Sequence, residues 1–248
     1  MNMVEQVAAR LIEAWHTGQR QSHEGLVLES EAQAYAVQQC VADALGWFSQ
    51  EPARAWKLGG SPDSFISAAG VPADAVHSSG WQAPSGYCNG FGIEGELIVR
   101  LRCDLDQHTD LEMAYRAIDA WLPGIELCDT RWLSAEHADP LLRLADQQSN
   151  RALIIGEPCS LEAPFDWPGQ TAEVRINGVS QQVSTGSHPF AEPLNSLPWL
   201  ARHAALQGNP LRAGDLVATG SWTGICWAPP SARVEVKFAG LGSVTFST

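Results

Sequence analysis

Two glutamates separated by one residue lie in a segment that alternates between apolar and polar side chains. In residues 91–102 the apolar side chains fall on one face and Glu94 and Glu96 on the other, which predicts a β-strand. Residues i and i+2 of a strand point to the same side, so these carboxylates repel each other unless a cation or a proton lies between them. With a third oxygen ligand from Glu126, on the next predicted strand, they form a candidate site for a hard cation such as Mg²⁺ or Mn²⁺.

A plain solvent-facing strand is the competing interpretation of the same segment. Arg100 and Arg102 follow the two glutamates on the polar face and would balance their charge. Because the E-x-E pattern is common on exposed strands, the residues alone favour this interpretation over a metal site.

A single lysine, Lys57, stands between Trp56 and Leu58 and directly before Gly59-Gly60. A partly buried lysine has a lowered pKa, so it can move protons or hold a carboxylate at the mouth of a pocket. The alternative is a lysine at a strand end whose long stem carries the amine back to water. Taken by itself, the pattern slightly favours this alternative.

Several other motifs are absent or lie in the wrong context. Gly90, Gly92 and Gly95 form a G-x-G-x-x-G pattern, but it runs into a strand and opens no helix, so no nicotinamide cofactor is predicted. No G-x-S-x-G segment indicates a serine hydrolase. The six cysteines form no C-x-x-C pair, so we expect no structural zinc. With no signal peptide, we expect reduced thiols in a cytoplasmic protein.

The charge balance of the 248-residue chain narrows the class of partner. It has 15 lysines and arginines against 28 aspartates and glutamates, a formal net charge of −13. Nucleic acids and anionic membranes bind basic patches, so we expect neither as a partner, and no apolar run is long enough for a membrane helix. An acidic small molecule remains a candidate substrate, because one local cation can reverse the field within a pocket.

Helical periodicity dominates the first quarter of the chain. Apolar residues recur at helical spacing in residues 4–15. A second helix is predicted to begin at Ser30, with Gln33 completing a capping box, and to end near Gly46. Residues 59–92 are rich in Gly, Pro and Ser and predict loops with at most one short helix.

Short strands dominate the remainder, with two further helices between them. Thr109 and Glu112 form another predicted capping box, for a helix that runs to residue 122 and is stopped by Pro123-Gly124. The other helix is predicted between residues 196 and 208. Strands are predicted at 125–128, 152–155, 172–176, 216–218, 234–238 and 243–246. The pattern is that of an α+β fold, with a helical N-terminal part at 1–55 and a strand-rich core at 56–248 in one integrated domain.

Several segments of this core, in this order, resemble the fumarylacetoacetate hydrolase superfamily, and within it the 2-keto-4-pentenoate hydratase and 4-oxalocrotonate decarboxylase branch. They are W-K-L-G at 56–59, I-E-G-E-L at 93–97, G-I-E-L at 124–127 with Asp129 and Arg131, D-Q-Q-S at 146–149 with Gly156, segments between 193 and 221 that end in L-R-A-G-D-L-V-A-T-G-S, and G-L-G-S-V at 240–244. The ordered set spans residues 56–248 and favours the metal site over the solvent-facing strand.

The resemblance implies a fold, a cofactor and a set of functional residues. The fold is a mixed β-roll or sandwich with the helical N-terminal part beside it, and the cofactor is Mg²⁺ or Mn²⁺. The small-molecule substrate is a 2-keto acid, and the protein is a homo-oligomer. The residues implied are Glu94, Glu96 and Glu126 as metal ligands, Lys57 as the catalytic lysine, and Ser149, Thr219 and Gly220 near the substrate.

One part of the family pattern is missing. The hydratases carry an aspartate between the lysine and the metal strand, whereas the shorter stretch at 70–81 offers only Asp74, which is poorly placed, and His77, which is a candidate catalytic substitute. Gln147 also stands where the family has asparagine.

Because of this departure, more than one function remains open. The first is a lyase that hydrates a 2-keto-4-enoate of the 2-hydroxypenta-2,4-dienoate type in the breakdown of aromatic compounds. The alternatives are a 2-ketoacid decarboxylase or a C–C bond (β-diketone) hydrolase on the same metal site, and a non-catalytic binding protein of the same fold.

Overall fold

Helices open the chain and then recur singly between strands. The structure is a computed structural model that describes residues 1–63, 65–159 and 165–248. The α-helices are α1 (Met3–Thr17), α2 (Glu31–Leu45), α3 (Leu111–Arg116), α4 (Pro140–Ala145) and α5 (Leu197–Leu206). Short 3₁₀ turns lie at Ala73–Ala75, Ala135–His137, Gln147–Ser149 and Pro193–Ser196.

The strands form two mixed sheets. They are β1 (Ala55–Gly60), β2 (Ile66–Val71), β3 (Val76–Ser78), β4 (Trp81–Gln82), β5 (Phe91–Leu101), β6 (Ile118–Cys128), β7 (Asn150–Ile155), β8 (Thr171–Ile176), β9 (Val179–Thr185), β10 (Leu216–Ser221), β11 (Cys226–Ala228), β12 (Arg233–Phe238) and β13 (Gly242–Ser247). One sheet has the order β2-β1-β10-β5-β6-β7-β3, with β11 also paired to β5, and the other has the order β4-β13-β12-β8-β9. The predicted α+β class with a mixed sandwich-like core is confirmed.

The two N-terminal helices form where the sequence predicts them. The Asn2 side chain accepts a hydrogen bond from the Glu5 amide, and the Asn2 backbone N–H donates to the Glu5 carboxylate, which completes a capping box for α1. Ser30 caps α2 by accepting from the Gln33 amide. The Gln33 side chain reaches the amide of Glu29 instead of Ser30, so the box predicted there is only half formed.

Part of the region predicted as loops forms strands in the structure. Residues 59–92, apart from residue 64, which lies outside the described part, contain β2, β3 and β4. The small residues that suggested loops are needed for packing, since a Cβ on Gly70 would lie 2.9 Å from the Cβ of Ala53.

The predicted helix at 111–122 is also too long. It ends at Arg116, and its N-cap is Asp110, because the Thr109 hydroxyl accepts from the Asp106 amide instead. Residues 118–122 join β6, whose pairing with β5 prevails over the helical spacing of Ile118 and Leu122.

The second sheet packs against the back of the strand that carries the two glutamates. Gly95 lies between Glu94 and Glu96, and a Cβ built on it would come within 2.8 Å of Val236 on β12. A side chain at residue 95 would push the sheets apart, so the glycine lets β12 lie directly against β5. Glu94 and Glu96 therefore point away from the second sheet.

The buried apolar residues fall into two clusters. The larger spans both sheets, and the smaller joins α1 and α2 to Trp132 and α4. The N-terminal helices thus share a core with residues 132–145. The division of the chain at residue 55 stays a prediction. In the part of the chain that the structure describes, no helix has the length and apolar character needed to cross a membrane.

Candidate metal centre

The three predicted glutamates come together on adjacent strands. Glu94 on β5 pairs directly with Glu126 on β6, and Glu96 follows two residues along the same face. Glu126 is 0% exposed and Glu96 is 1% exposed. Such burial contradicts the solvent-facing interpretation. The arginines that were to balance the glutamates are engaged elsewhere, Arg100 with Asp119 and Arg102 with the Ile118 carbonyl.

Each of the two most buried carboxylates is oriented by a neighbour. The Asn150 amide donates to Oε1 of Glu126 at 2.8 Å, and the Gly220 N–H donates to Oε2 of Glu96 at 2.9 Å. Oε2 of Glu126 is buried and, among the described residues, has no hydrogen-bond partner. A buried carboxylate oxygen without a donor is costly, so this atom calls for a proton or a cation.

Burial and repulsion from neighbouring carboxylates oppose the ionisation of Glu94 and Glu96. Burial first, and then the charge of Glu126, raise the pKa of Glu94 to about 7, with Lys57 offsetting part of the shift. Burial, together with Glu126 and Glu94, raises the pKa of Glu96 well above its ordinary value. A dication would remove the repulsion, because it is an opposite charge shared by all three.

The donor atoms at this place fit a divalent cation. One oxygen each from Glu94 and Glu126 and the thiol sulfur of Cys128 all lie within 4.8 Å of one another. Glu96 is not part of this trio, but it interacts electrostatically with both glutamates. Carboxylate oxygens suit Mg²⁺ or Mn²⁺, and the unpartnered Glu126 Oε2 gives such an ion a free ligand. Cys128 adds a soft donor that the sequence did not predict.

Lys57 is buried beside the carboxylates and does not extend to water. It is 5% exposed, and its Nζ lies 3.4 Å from Oε1 of Glu126. Burial alone would lower its pKa, but Glu126, Glu94 and Glu96 reverse this effect and raise the pKa above the ordinary value. The expected lowering is therefore wrong, because a lysine among carboxylates is held as a cation.

The amide of Gln148 also holds the Lys57 amine. Nζ donates to Oε1 of Gln148 at 3.1 Å. Gln147, Gln148 and Ser149 have φ values of 51°, 52° and 67°, so three consecutive residues lie in the left-handed region. This conformation costs about 1–2 kcal/mol per residue for L-amino acids, so the surrounding contacts must impose it. The strained turn brings Gln148 to the lysine.

The predicted substrate residues contribute in different ways. The Ser149 backbone binds Asp129 and Asp146, which fixes the turn. The Thr219 hydroxyl is buried and donates to the Leu97 carbonyl at 2.7 Å, and the Gly220 amide holds Glu96. A substrate contact at any of the three stays a prediction.

His77 lies on β3, and β7 separates this strand from β6, which carries Glu126. Its ring stacks on Trp81 with centroids 3.8 Å apart, and burial lowers its pKa, with Asp74 opposing and Arg151 adding to the shift. Its ring contacts are with Trp81 and Tyr87, and among the described residues the charges that act on it are those of Asp74 and Arg151. The catalytic role predicted for His77 gains no support from this position.

Sequence reasoning missed Asn150 and Gln148, which orient Glu126 and Lys57. Both lie in or beside the D-Q-Q-S segment at 146–149, but the resemblance of this segment to the family implies neither of these roles. The sequence signal for these two residues is the cluster of amide side chains at residues 147, 148 and 150. Their contacts depend on a turn with positive φ values that the residue types do not announce.

The chain is similar to a family of known proteins. The family described as fumarylacetoacetate (FAA) hydrolase C-terminal matches residues 35–247. Among curated proteins, the chain is 30% identical over 155 residues to the TodF product hydratase of Pseudomonas putida, covering 62% of this chain and 57% of that protein. It is 27% identical over 156 residues to a 4-oxalocrotonate decarboxylase of a Pseudomonas species, covering 63% and 60%. These matches span less than two thirds of either relative.

The solved structures share the fold at lower identity. 4-Oxalocrotonate decarboxylase from Pseudomonas putida G7, complexed with magnesium and adipate, superposes with a TM-score of 0.84 at 24% identity over 98% of this chain and 97% of that one. Fumarylpyruvate hydrolase from Pseudomonas aeruginosa, with Mn²⁺ and pyruvate, gives 0.59 at 20% identity over 79% and 89%. With the family match over most of its length, the chain belongs to the fumarylacetoacetate hydrolase family.

Proposed function

We propose that the protein is a divalent-metal-dependent lyase that hydrates a 2-keto-4-enoate. The observation that carries the proposal is the group formed by half-buried Glu94 and buried Glu96 and Glu126 beside the buried Lys57. Within this group, Oε2 of Glu126 lacks a partner among the described residues. Relatives named as hydratases, and family structures that hold magnesium, calcium or manganese, support it.

Each residue of the site has a separate task in this proposal. A bound Mg²⁺ or Mn²⁺ would act as a Lewis acid toward the carboxylate and keto oxygens of the substrate. Glu94, Glu96 and Glu126 would hold the ion, with Asn150 and Gly220 orienting two of them. Lys57 would hold the substrate carboxylate or carry a proton on Nζ, and the burial of the site would exclude bulk water.

Isothermal titration tests the metal site directly. Mg²⁺ or Mn²⁺ and then oxalate, a stable mimic of the 2-keto acid head, are added to metal-stripped protein. We expect oxalate to bind only when metal is present. Glu126→Gln should weaken the binding of the metal ion and of oxalate by about 100-fold or more, because it removes the charge of the carboxylate whose Oε2 is free to bind the ion. Glu173→Gln is the matched control, since that strand glutamate pairs with Arg175 in the other sheet.

The opposite outcome is equally clear. If the stripped wild type binds neither metal nor oxalate, the glutamates hold no ion and the proposal fails. If metal and a 2-keto-4-enoate bind without turnover, the alternative of a non-catalytic binding protein gains support.

Decarboxylation of a 2-keto acid is the second candidate. It is favoured by the position of His77 on β3, which β7 separates from the strand of Glu126. Lys57, in contrast, lies beside Glu126 and can carry a proton there. Loss of carbon dioxide needs an electron sink and one proton, whereas hydration, like C–C hydrolysis, also needs an activated water. Release of carbon dioxide from 4-oxalocrotonate, without loss of 2-hydroxypenta-2,4-dienoate absorbance, would establish the decarboxylase.

A methyl group on Gly59 provides a test of the Lys57–Gln148 contact. A Cβ there would overlap the Gln148 amide oxygen, which is the flexible end of a side chain, so the fold should tolerate it. We expect Gly59→Ala to lower kcat by about 10- to 100-fold while changing the free energy of unfolding by less than about 1 kcal/mol. Steady-state kinetics and urea unfolding measure the two effects.

The control for this variant is its combination with Gln148→Ala. If Gly59→Ala acts by displacing Gln148, it should have little further effect once the amide is gone. Additive losses of kcat in the double variant would show that residue 59 acts in another way.

Assembly and location stay predictions. A homo-oligomer is expected from the family resemblance, and light scattering after size exclusion would measure its mass. The cytoplasmic location is likewise expected from the sequence.

A further inference from the structure

Arg151 occupies an irregular position at the start of β7. Leu127 pairs with Ala152 and Cys128 pairs with Asn150, so Arg151 is the extra residue between two adjacent pairs. Such a bulge interrupts the alternation of the strand and re-aims a side chain. Its neighbour Asn150 is the residue that donates to Glu126.

The Arg151 guanidinium is held by aromatic rings and not by a carboxylate. It lies 3.6 Å from the centroid of the Tyr87 ring and 4.9 Å from that of Trp15, and its Nε donates to the Tyr87 carbonyl at 3.1 Å. Among the described residues it has no carboxylate within ion-pair distance. Two nearby arginines are neutralised, Arg20 by Asp129 and Arg131 by Asp146.

The Arg151 side chain lines a cavity that also touches Asn150, the residue that donates to Glu126. The cavity has a volume of about 290 Å³, and its walls include Trp15, Tyr87 and Arg151 as well as Asn150. Asn150 thus connects the wall of the cavity to the carboxylate group, because its amide donates to Oε1 of Glu126 at 2.8 Å. The volume is near the lower end of the ~300–1,000 Å³ common for small-molecule sites.

We propose that Arg151 binds the distal carboxylate of a dicarboxylic 2-keto acid whose keto-acid head lies at the glutamate site. This inference rests on the proposed function and adds the substrate's tail to it. A chain with a net charge of −13 repels dianions, so an unneutralised guanidinium in a cavity is a specific local exception. Arginine presents paired donors that match a carboxylate, and stacking between two rings fixes their plane in advance.

The N-terminal helical part gains a role in this proposal. Trp15 belongs to α1, outside the strand-rich core, and its ring contacts the Arg151 guanidinium. Asp74 lines the same cavity and would oppose a second carboxylate. The tail preference should therefore depend on the balance between Arg151 and Asp74.

A pair of six-carbon ligands tests the tail contact in the metal-loaded protein. 2-Oxoadipate and 2-oxohexanoate share the keto-acid head and differ in the distal carboxylate, whereas oxalate is the head alone. By calorimetry we expect the wild type to bind 2-oxoadipate about tenfold or more tightly than 2-oxohexanoate. Arg151→Gln should bring this ratio close to one and leave oxalate affinity within about twofold. Arg20→Gln, which removes an already neutralised arginine, is the matched control and should keep the ratio.

The outcomes separate this inference from the proposed function. A wild type that binds oxalate with metal but does not prefer 2-oxoadipate, or an Arg151→Gln variant that keeps the preference, overturns the role of Arg151 and leaves the metal site standing. If the metal-loaded wild type does not bind oxalate, the proposed function is refuted instead. If Arg151→Gln does not fold, Asp74→Asn decides: a larger preference for 2-oxoadipate supports the proposal, and an unchanged or smaller one contradicts it.

Discussion

Replacing Lys57 with methionine is expected to lower kcat by about two to four orders of magnitude. Methionine keeps most of the length and apolar stem of the side chain, so the variant removes the charge and its three donors without opening a large cavity. The lost contacts are those of Nζ with Glu126 and Gln148. Turnover of a 2-keto-4-enoate, followed by its absorbance, measures the effect.

Metal binding should respond in the opposite direction to kcat. Lys57 and a dication are both counter-ions of the same buried carboxylates, so removing the lysine leaves more negative charge for the metal. We expect Lys57→Met to bind Mg²⁺ or Mn²⁺ at least as tightly as the wild type. Its metal-free form should be less stable than that of the wild type.

The chain offers a matched control for this substitution. Lys237, the only other lysine in the sequence, is exposed on β12 in the second sheet. Lys237→Met should leave kcat and metal affinity unchanged. A Lys57→Met variant with near-normal kcat would contradict a catalytic role for the lysine, and one that loses metal affinity would show that Lys57 acts by maintaining the site.

The sequence predicts best those elements whose periodicity and caps agree. α1 and α2 begin and end near their predicted residues, because the apolar spacing, the N-caps and the glycines at residues 18 and 46 point the same way. The helix predicted at residues 118–122 is wrong, because the spacing of Ile118 and Leu122 fits a helix as well as a strand. Only pairing with β5, which is distant from them in space until the chain folds, decides between the two.

The site follows the same division. Strand alternation put Glu94 and Glu96 on one face, and register then brought Glu126 opposite Glu94. Burial was not predictable from the pattern, because it arises from chain segments that cover this face. The contacts of Gln148, Asn150 and Arg151 depend on a left-handed turn and a bulge, two backbone irregularities that residue types encode weakly.

Asp146→Asn is expected to cost the largest share of stability, about 3–5 kcal/mol of the free energy of unfolding. Asp146 is 2% exposed and pairs with Arg131, which is 4% exposed. The carboxylate also accepts from the Arg131 amide at 3.0 Å and the Thr130 hydroxyl at 3.1 Å. Burial raises the pKa of Asp146, and Arg131 offsets part of the shift, so the pair is stable only as a unit.

An exposed ion pair of the same chemistry supplies the control. Arg100 and Asp119 have side chains that are 41% and 45% exposed, and Asp119→Asn should cost less than about 1 kcal/mol. Urea unfolding of both variants in metal-free buffer compares the two costs. Similar small losses would show that the buried pair contributes no more than a surface one.

The consequence of Asp146→Asn for the site follows from what Arg131 holds. Its guanidinium donates to the carbonyls of Asp129 and Asn150, so it joins the end of β6 to the start of β7. That junction fixes the Asn150 contact with Glu126 and the bulge at Arg151. An asparagine at residue 146 leaves the buried Arg131 without a counter-charge, and the junction should loosen before the sheets separate. Metal affinity of Asp146→Asn should therefore fall at urea concentrations where the fold is still intact. In Asp119→Asn, metal affinity and the fold should be lost at the same urea concentration.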